Sequence, residues 1–398
     1  MRRVALGSSV ALVVALAAAT NGCAAPAAQK AAVVAPPRAT PAELGLSALA
    51  GARYDEAEKN LRLALGAKPS PAASERDVLE AALVAVLRET GRYEDALTAG
   101  ARFVGPRARL GLAEVLVRQG KLDEALARAL EIKADAPLVV RLDAARLRGE
   151  ILTELGRPAD AKPEFLTLVT AYNDGSLAAL PAEEKSEAFG LVGRAAHVLR
   201  YPEDANDAFN EAEAAAKPSV RLLVWRGELL VEKFNLADAE EVAVEALERA
   251  PRHPDALVLL AEVRLGQALD LDGAFELAGR ALEVNPAHAR AHYVRAGTVL
   301  RDLDFAATHR EIDAGLAVNP RHLDLLSMRA AARFLAEDEA GFEAVLTQVD
   351  GLSPRYARIF DVVAEYAEWE HRYDDIERLL RRGVRLDRDD GRLRSNLG

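Results

Sequence analysis

Asn285-Pro286-Ala287-His288, Asn319-Pro320-Arg321-His322 and Ser353-Pro354-Arg355-Tyr356 are three versions of one phrase, set 34 residues apart. Pro251 precedes Pro286 by 35 residues, and one more step of 34 lands on Arg388 within Asp387-Arg388-Asp389-Asp390. A fixed period of about 34 residues marks a helix–turn–helix unit that cannot bury its own apolar face and must stack on copies of itself. The phrase predicts a solenoid.

One unit shows how each copy is built. Leu79, Ala82, Leu83, Val86 and Leu87 follow the i, i+3, i+4, i+7 pattern of an amphipathic helix. Gly91 ends it, because glycine tolerates the positive φ of a helix terminus. Arg92-Tyr93-Glu94-Asp95 starts a second helix with acids in the first turn, where the dipole favours them. Small residues recur where the two helices approach closely: Ala57, Ala96, Ala125, Ala161, Ala205, Ala239 and Ala274. Pro69, Pro137, Pro251 and Pro286 each follow one of these alanines by twelve residues and end the second helix, since proline cannot continue the i→i−4 ladder. Later units carry Thr308, Phe342 and Ile376 in the small-residue slot.

These residues, with Leu44-Gly45, Gly120, Gly149, Gly156, Gly193, Gly227, Tyr54 and Tyr373, resemble a tetratricopeptide repeat array from about residue 41 onward. The resemblance implies an all-α, right-handed solenoid of about ten units. It also implies a concave groove lined by the first helix of each unit. Ala161 and Ala205 are 44 residues apart, so we expect a proximal block over 41–175 and a distal block over 181–398; a longer loop within one superhelix is the alternative. Ala96 and Ala125 are only 29 apart, which predicts shortened helices there. The step places Leu397-Gly398 inside the first helix of a further unit, and we expect the reading frame to continue.

The N-terminus carries an address. Met1-Arg2-Arg3 followed by Val4–Ala19 has the charged start and apolar stretch of a secretory signal. Cys23, the single cysteine, follows in Thr20-Asn21-Gly22-Cys23, which resembles the lipobox of bacterial lipoproteins. The resemblance implies a signal peptide over 1–22, lipidation of Cys23, and an Ala/Pro-rich tether over 23–40. It further implies an exported protein of the bacterial cell envelope, held at the outer membrane and facing the periplasm. The plainer alternative is a signal peptide cleaved near Ala17-Ala18-Ala19. A lone cysteine allows no internal disulfide.

Composition and motifs narrow the function. Net charge is −11, with no basic face of the kind nucleic acids require. The one basic cluster, Arg378, Arg381, Arg382 and Arg385, reads as a solvated helix face. His288 and His292 share the i, i+4 spacing of zinc peptidases, but Ala289 stands where the catalytic glutamate is needed. They read as solvated or groove-lining residues. With no nucleophile elbow, phosphate loop or dinucleotide fingerprint, we assign no catalytic residue, cofactor or metal.

The groove is what remains. We expect its face to include Arg194, His197, Arg221, Glu228, Asp255, Glu262, Arg290, Tyr293, Arg358, Asp361 and Glu365, with Ser327 and Phe334. Trp225 and Trp369 are expected between helices. A mixed-charge array face suits a protein or extended peptide, so the expected role is a membrane-anchored interaction scaffold. The stretches Ala171–Gly175, Asp204–Phe209, Ala340–Ala344 and Ser353–Asp374 are also similar to repeats preceding zinc metallopeptidase domains of the peptidase MA-like kind. That resemblance implies, as the alternative, the arm of a larger enzyme.

Overall fold

The computed structural model describes residues 39–397 except Leu269 and Asp389. The signal peptide, Cys23 and nearly all of the tether lie outside the described residues. The described residues contain 21 helices and no strand. The first five units are α1 (Pro41–Ala50) with α2 (Tyr54–Leu65), α3 (Ala73–Glu89) with α4 (Tyr93–Gly100), α5 (Pro106–Arg118) with α6 (Leu122–Leu130), α7 (Leu138–Glu154) with α8 (Pro158–Asn173), and α9 (Ala182–Val198) with α10 (Pro202–Ala215). The next five are α11 (Val220–Glu232) with α12 (Leu236–Arg249), α13 (Pro254–Ala268) with α14 (Leu271–Val284), α15 (Ala289–Arg301) with α16 (Phe305–Val318), α17 (Leu323–Leu335) with α18 (Glu339–Leu352), and α19 (Arg358–Trp369) with α20 (Tyr373–Leu386). A short α21 (Gly391–Leu397) follows. The architecture is an α-solenoid of tetratricopeptide-like helix pairs.

Local chemistry sets the boundaries. Thr40 and Glu43 form a reciprocal capping box at α1. Asp304 and Asp338 accept backbone N–H groups at the starts of α16 and α18. The helices predicted to be short are short, with α4 and α6 spanning 8 and 9 residues. Pro251, Pro286, Pro320 and Pro354 each lie in the loop after a second helix. Ala57, Ala96, Ala125, Ala205, Ala239 and Ala274 are fully buried, and Thr308 and Phe342 are buried in the same slot. Each first helix packs on the first helix of the next unit, whereas successive second helices lack comparable contact. The array therefore curves with the odd-numbered helices on its inner wall.

In nine of the ten units one described residue turns the chain from first to second helix in the left-handed region. Gly91, Gly120 and Gly156 do so at φ near +70°. Ala52, Arg200, Phe234, Leu303, Glu337 and His371 do the same with a side chain, at a cost of about 1–2 kcal/mol for an L-residue. Phe234 is 74% exposed, so little packing offsets its strain. Phe234→Gly is therefore expected to raise stability by about 1 kcal/mol. A lowered urea midpoint would show that the ring packs more than its exposure indicates.

The curvature is tight enough for the coil to touch itself. The Asn285 Nδ2 donates to the Arg88 carbonyl at 3.3 Å across 197 residues, and Ala250 and Val284 share an apolar cluster with Ala52, Tyr54 and Tyr93. Gly120 lies against Asn319, and Gly156 against Pro354. Arg200 donates to Asp387 at 3.1 Å across 187 residues. The register is constant: the turn within each of units one to five sits on the loop that follows the unit five places later. The glycines are required here, because a Cβ at Gly91 or Gly120 would meet Asn285 or Asn319 Oδ1 at 2.4 or 2.1 Å. The Asn-Pro phrase that reveals the repeat is thus also the seat on which the previous superhelical turn rests. No described helix is long and apolar enough to cross a membrane.

Candidate functional site

The inner wall carries a ladder of alternating charge. Arg88 of α3 pairs with Glu89 at 2.8 Å and with Glu114 of α5. Arg146 of α7 takes Glu114 at 2.9 Å, Asp143 at 2.7 Å and Glu150. Arg194 of α9 bridges Glu150 at 2.7 Å and Glu228 of α11 at 2.9 Å. Arg290 of α15 closes the run on Glu228 and on Glu262 of α13, the latter at 2.7 Å. Arg221 is a side rung, reaching Asp143 at 3.0 Å and Glu187 at 2.7 Å. Every first helix from α3 to α15 contributes. The helical repeat makes this possible: the inward face of each first helix puts a charge within reach of the next unit's charge.

Three guanidiniums cover the indole of Trp225, with Arg221, Arg146 and Arg194 at 4.8, 5.1 and 5.9 Å from its ring. Such cation–π contacts strengthen when shielded from water. Although burial pushes the Asp143 carboxyl up, Arg146 and Arg221 outweigh it and hold the group at about 2. Burial likewise opposes ionisation of Glu150 and Glu228, and their arginine partners still bring both below the usual carboxylate range. These three carboxyls are therefore ionised at neutral pH.

The sequence expects an open mixed-charge face; the structure places most of those charges against one another. Arg194, Arg221, Glu228, Glu262 and Arg290 are ladder members. Asp255 lies instead between superhelical turns, held by Arg118 at 2.8 Å and His288 at 2.9 Å. His197 pairs with Glu232 at 2.7 Å. Tyr293 packs on the apolar clusters of the distal units. Arg358 stands 3.8 Å from Asp324, and Glu365 takes Arg301 at 3.0 Å. Asp361 is buried, receiving Arg392 and Asn396 from α21 at 2.8 and 2.7 Å.

Several side chains depart from the sequence reading. Ser327 and Phe334 are buried, not groove-facing, because α17 is covered by both α18 and α19. Trp369 is 39% exposed under the Arg301 guanidinium, and Trp225 belongs to the ladder as much as to the core. His288 and His292 are buried, not solvated. His288 Nδ1 accepts the Ala291 N–H as an N-cap, and His292 is paired with Glu311 at 2.8 Å. Arg382, expected on a solvated face, reaches Glu343 at 2.7 Å and covers Phe360.

Glu89, His253 and Asp255 bring three potential metal donors together between turns. Arg88 and Arg118 already hold the two carboxylates at 2.8 Å, which opposes a cation at that point. Nearby, solvent reaches Glu154, yet surrounding protein, then Glu150 and Asp324, push its carboxyl up to about 7. The unfolded chain ionises this group first as pH rises, so its neutral form supports the fold at low pH and that support disappears as pH climbs through about 7. Glu154→Gln is expected to leave stability unchanged below about pH 4.5 and to add of order 1 kcal/mol above pH 7, allowing for solvent screening. A gain of equal size at both ends of a urea-midpoint series against pH would sink this assignment.

Among known proteins, no family model and no curated protein matches the chain. Solved structures similar to it include yeast Tom70, at 12% identity over 89% of this chain and 92% of that one, with a TM-score of 0.42. A tetratricopeptide repeat protein of Parabacteroides merdae is 16% identical over 64% of this chain and 97% of its own, with a TM-score of 0.43. A thermophilic repeat protein of Thermus thermophilus is 18% identical over 47% of this chain and 99% of its own, with a TM-score of 0.41. At these scores the architecture rests on the chain's own geometry.

Proposed function

We propose that this array of tetratricopeptide-like helix pairs is a protein-interaction scaffold, exported and anchored in the bacterial cell envelope through lipidated Cys23. The inner-wall ladder carries the reading. Aliphatic side chains of similar volume stabilise a fold as well as partly buried ion pairs do, and often better. A run of charges over first helices from α3 to α15 is therefore poorly explained by stability alone. Its outer members keep contact with solvent: side-chain exposures are 21% for Arg194, 16% for Glu228 and 28% for Arg290. An extended segment bearing carboxylates or guanidiniums can exchange with the rungs one repeat at a time, keeping each charge paired as it binds.

The test is site-specific photo-crosslinking in the native host. A crosslinker at Glu187 or Arg358 on the inner wall is expected to trap one recurring protein, while one at exposed Lys162 on α8 does not. Equal trapping at all three positions would overturn the groove assignment. The anchor is tested separately: the mature chain should carry a diacylglyceryl mass on Cys23, and Cys23→Ser should leave the membrane fraction. A Cys23→Ser chain that stays membrane-bound refutes the anchor without touching the ladder.

A further inference from the structure

The loop Asn319-Pro320-Arg321-His322 is shaped by its own side chains. Asn319 Oδ1 accepts the Arg321 N–H at 3.0 Å. His322 Nδ1 accepts the Leu325 N–H at 3.3 Å and so caps α17. Asn319 is also the residue against which Gly120 of the first superhelical turn rests. One loop therefore both starts a helix and seats a turn of the coil.

The cap imposes a chemical condition. A backbone N–H can only donate, so Nδ1 must present its lone pair, and the neutral ring carries its proton on Nε2. A second proton has only Nδ1 to bind. Proton and Leu325 N–H compete for the same lone pair. The neighbouring copies of the phrase differ. His288 caps α15 in the same way, but its Nε2 is also tied to Asp255 at 2.9 Å, which Arg118 holds in turn. Tyr356 stands at the histidine position of the third copy, and α19 has no side-chain cap. Among the described residues His322 has no second tie of that kind.

Charged and titratable groups face the ring from several elements. Asp324 lies on its own helix, Arg118 on α5, and His288 and Arg290 at the start of α15. Beyond Asp324 stand Glu154 of α7, and Tyr356 and Arg358 at the start of α19. Arg321 reaches away, to the Leu352 carbonyl at 3.3 Å. Burial disfavours the charged ring most. Asp324 favours it, His288, Arg118 and Arg290 oppose it, and the balance holds His322 below the ordinary histidine value.

We propose that His322 is an acid-released latch, whose protonation uncaps α17 and frees the loop on which the Gly120 turn rests. The release acts within the coil and is independent of whatever the inner wall binds. As pH falls, the uncapped segment takes up the proton before the capped one does. The support from the cap is therefore complete above about pH 6.5 and is lost as pH falls through the lower value of the folded ring. Glu154 works with the opposite sign, since its neutral form supports the fold at low pH.

The test is hydrogen exchange of the full chain at about pH 7.5 and about pH 5.5, on either side of the ordinary histidine value and corrected for the intrinsic pH dependence of exchange. Protection at the start of α17 and at the Gly120 turn should fall about fivefold at the lower pH, the loss of one N-cap. His322→Asn keeps a side-chain cap that does not titrate and should protect both segments equally at the two pH values. His322→Ala has no cap and should show the acid behaviour at both. Wild-type protection that is the same at both pH values would overturn the proposal. So would a His322→Asn chain that loosens in acid as wild type does, or a start of α17 that opens while the Gly120 turn stays protected.

Discussion

Arg146→Met is expected to be the most damaging single substitution in this chain, costing about 3–5 kcal/mol by stranding a buried charge cluster. Arg146 is 3% exposed and serves Glu114, Asp143 and Glu150 at once. Methionine fills much the same volume, so packing alone predicts a small loss. The difference comes from three carboxylates that lose a shared cation, with Arg88, Arg221 and Arg194 left to serve them from the flanks. Solenoids do not always unfold in one step, so the readout should be local. Trp225 lies beneath Arg146, and its fluorescence against urea reports this region. The triple change Arg146→Met, Asp143→Asn, Glu150→Gln should recover much of the loss. An effect of Arg146→Met below about 1 kcal/mol, the usual ceiling for exposed pairs, would mean that the rungs are independent surface bridges. Acid gives a second check. Asp143 is held at about 2, so the stability its ionised form contributes is complete above the usual carboxylate range and is lost as pH falls through about 2. Wild type and Arg146→Met should converge there.

The second large effect is expected from Gly120→Val, which should pry apart two superhelical turns. Valine at φ +70° is strained by about 1–2 kcal/mol or more, since a β-branched residue disfavours the left-handed region. Its Cβ would also lie 2.1 Å from Asn319 Oδ1, so the loop at Asn319-Pro320 must move away. We expect a larger radius of gyration by small-angle scattering and faster amide exchange at the start of α17. Asn319→Gly in the same chain removes the clash but not the strain, and should restore the radius while leaving part of the instability. An unchanged radius in Gly120→Val would show that the loops yield without separating the turns.

The repeat, the helix pairs and their ends were legible because each is a short-range event. Proline closes a helix, glycine turns it, and apolar spacing marks its face within a dozen residues. The stacking of turns was not legible, because it arises from a small rotation per unit summed over five units. A trace of it was present: Gly91, Gly120 and Gly156 face Asn285, Asn319 and Pro354 across the coil, in the same order and at nearly the same offset. Read one unit at a time, those glycines look like helix ends and nothing more. The groove residues illustrate the same limit. Arg194, Glu228 and Arg290 were placeable on first helices, but their mutual pairing depends on how closely those helices approach. Asp361 could be assigned to α19, yet its burial depends on α21 folding back over it.

Stacked turns also change what kind of editing this chain tolerates. In an open solenoid each unit answers only to its two neighbours, so a helix pair can be duplicated or deleted with local consequences. Here a unit such as α5–α6 also answers to the loop between α16 and α17, half the chain away. Removing one pair from the middle would shift every later loop by one place and set Gly91, Gly120 and Gly156 opposite the wrong partners. The molecule is woven more than strung, and the number of units between its facing turns and loops is fixed by that weave.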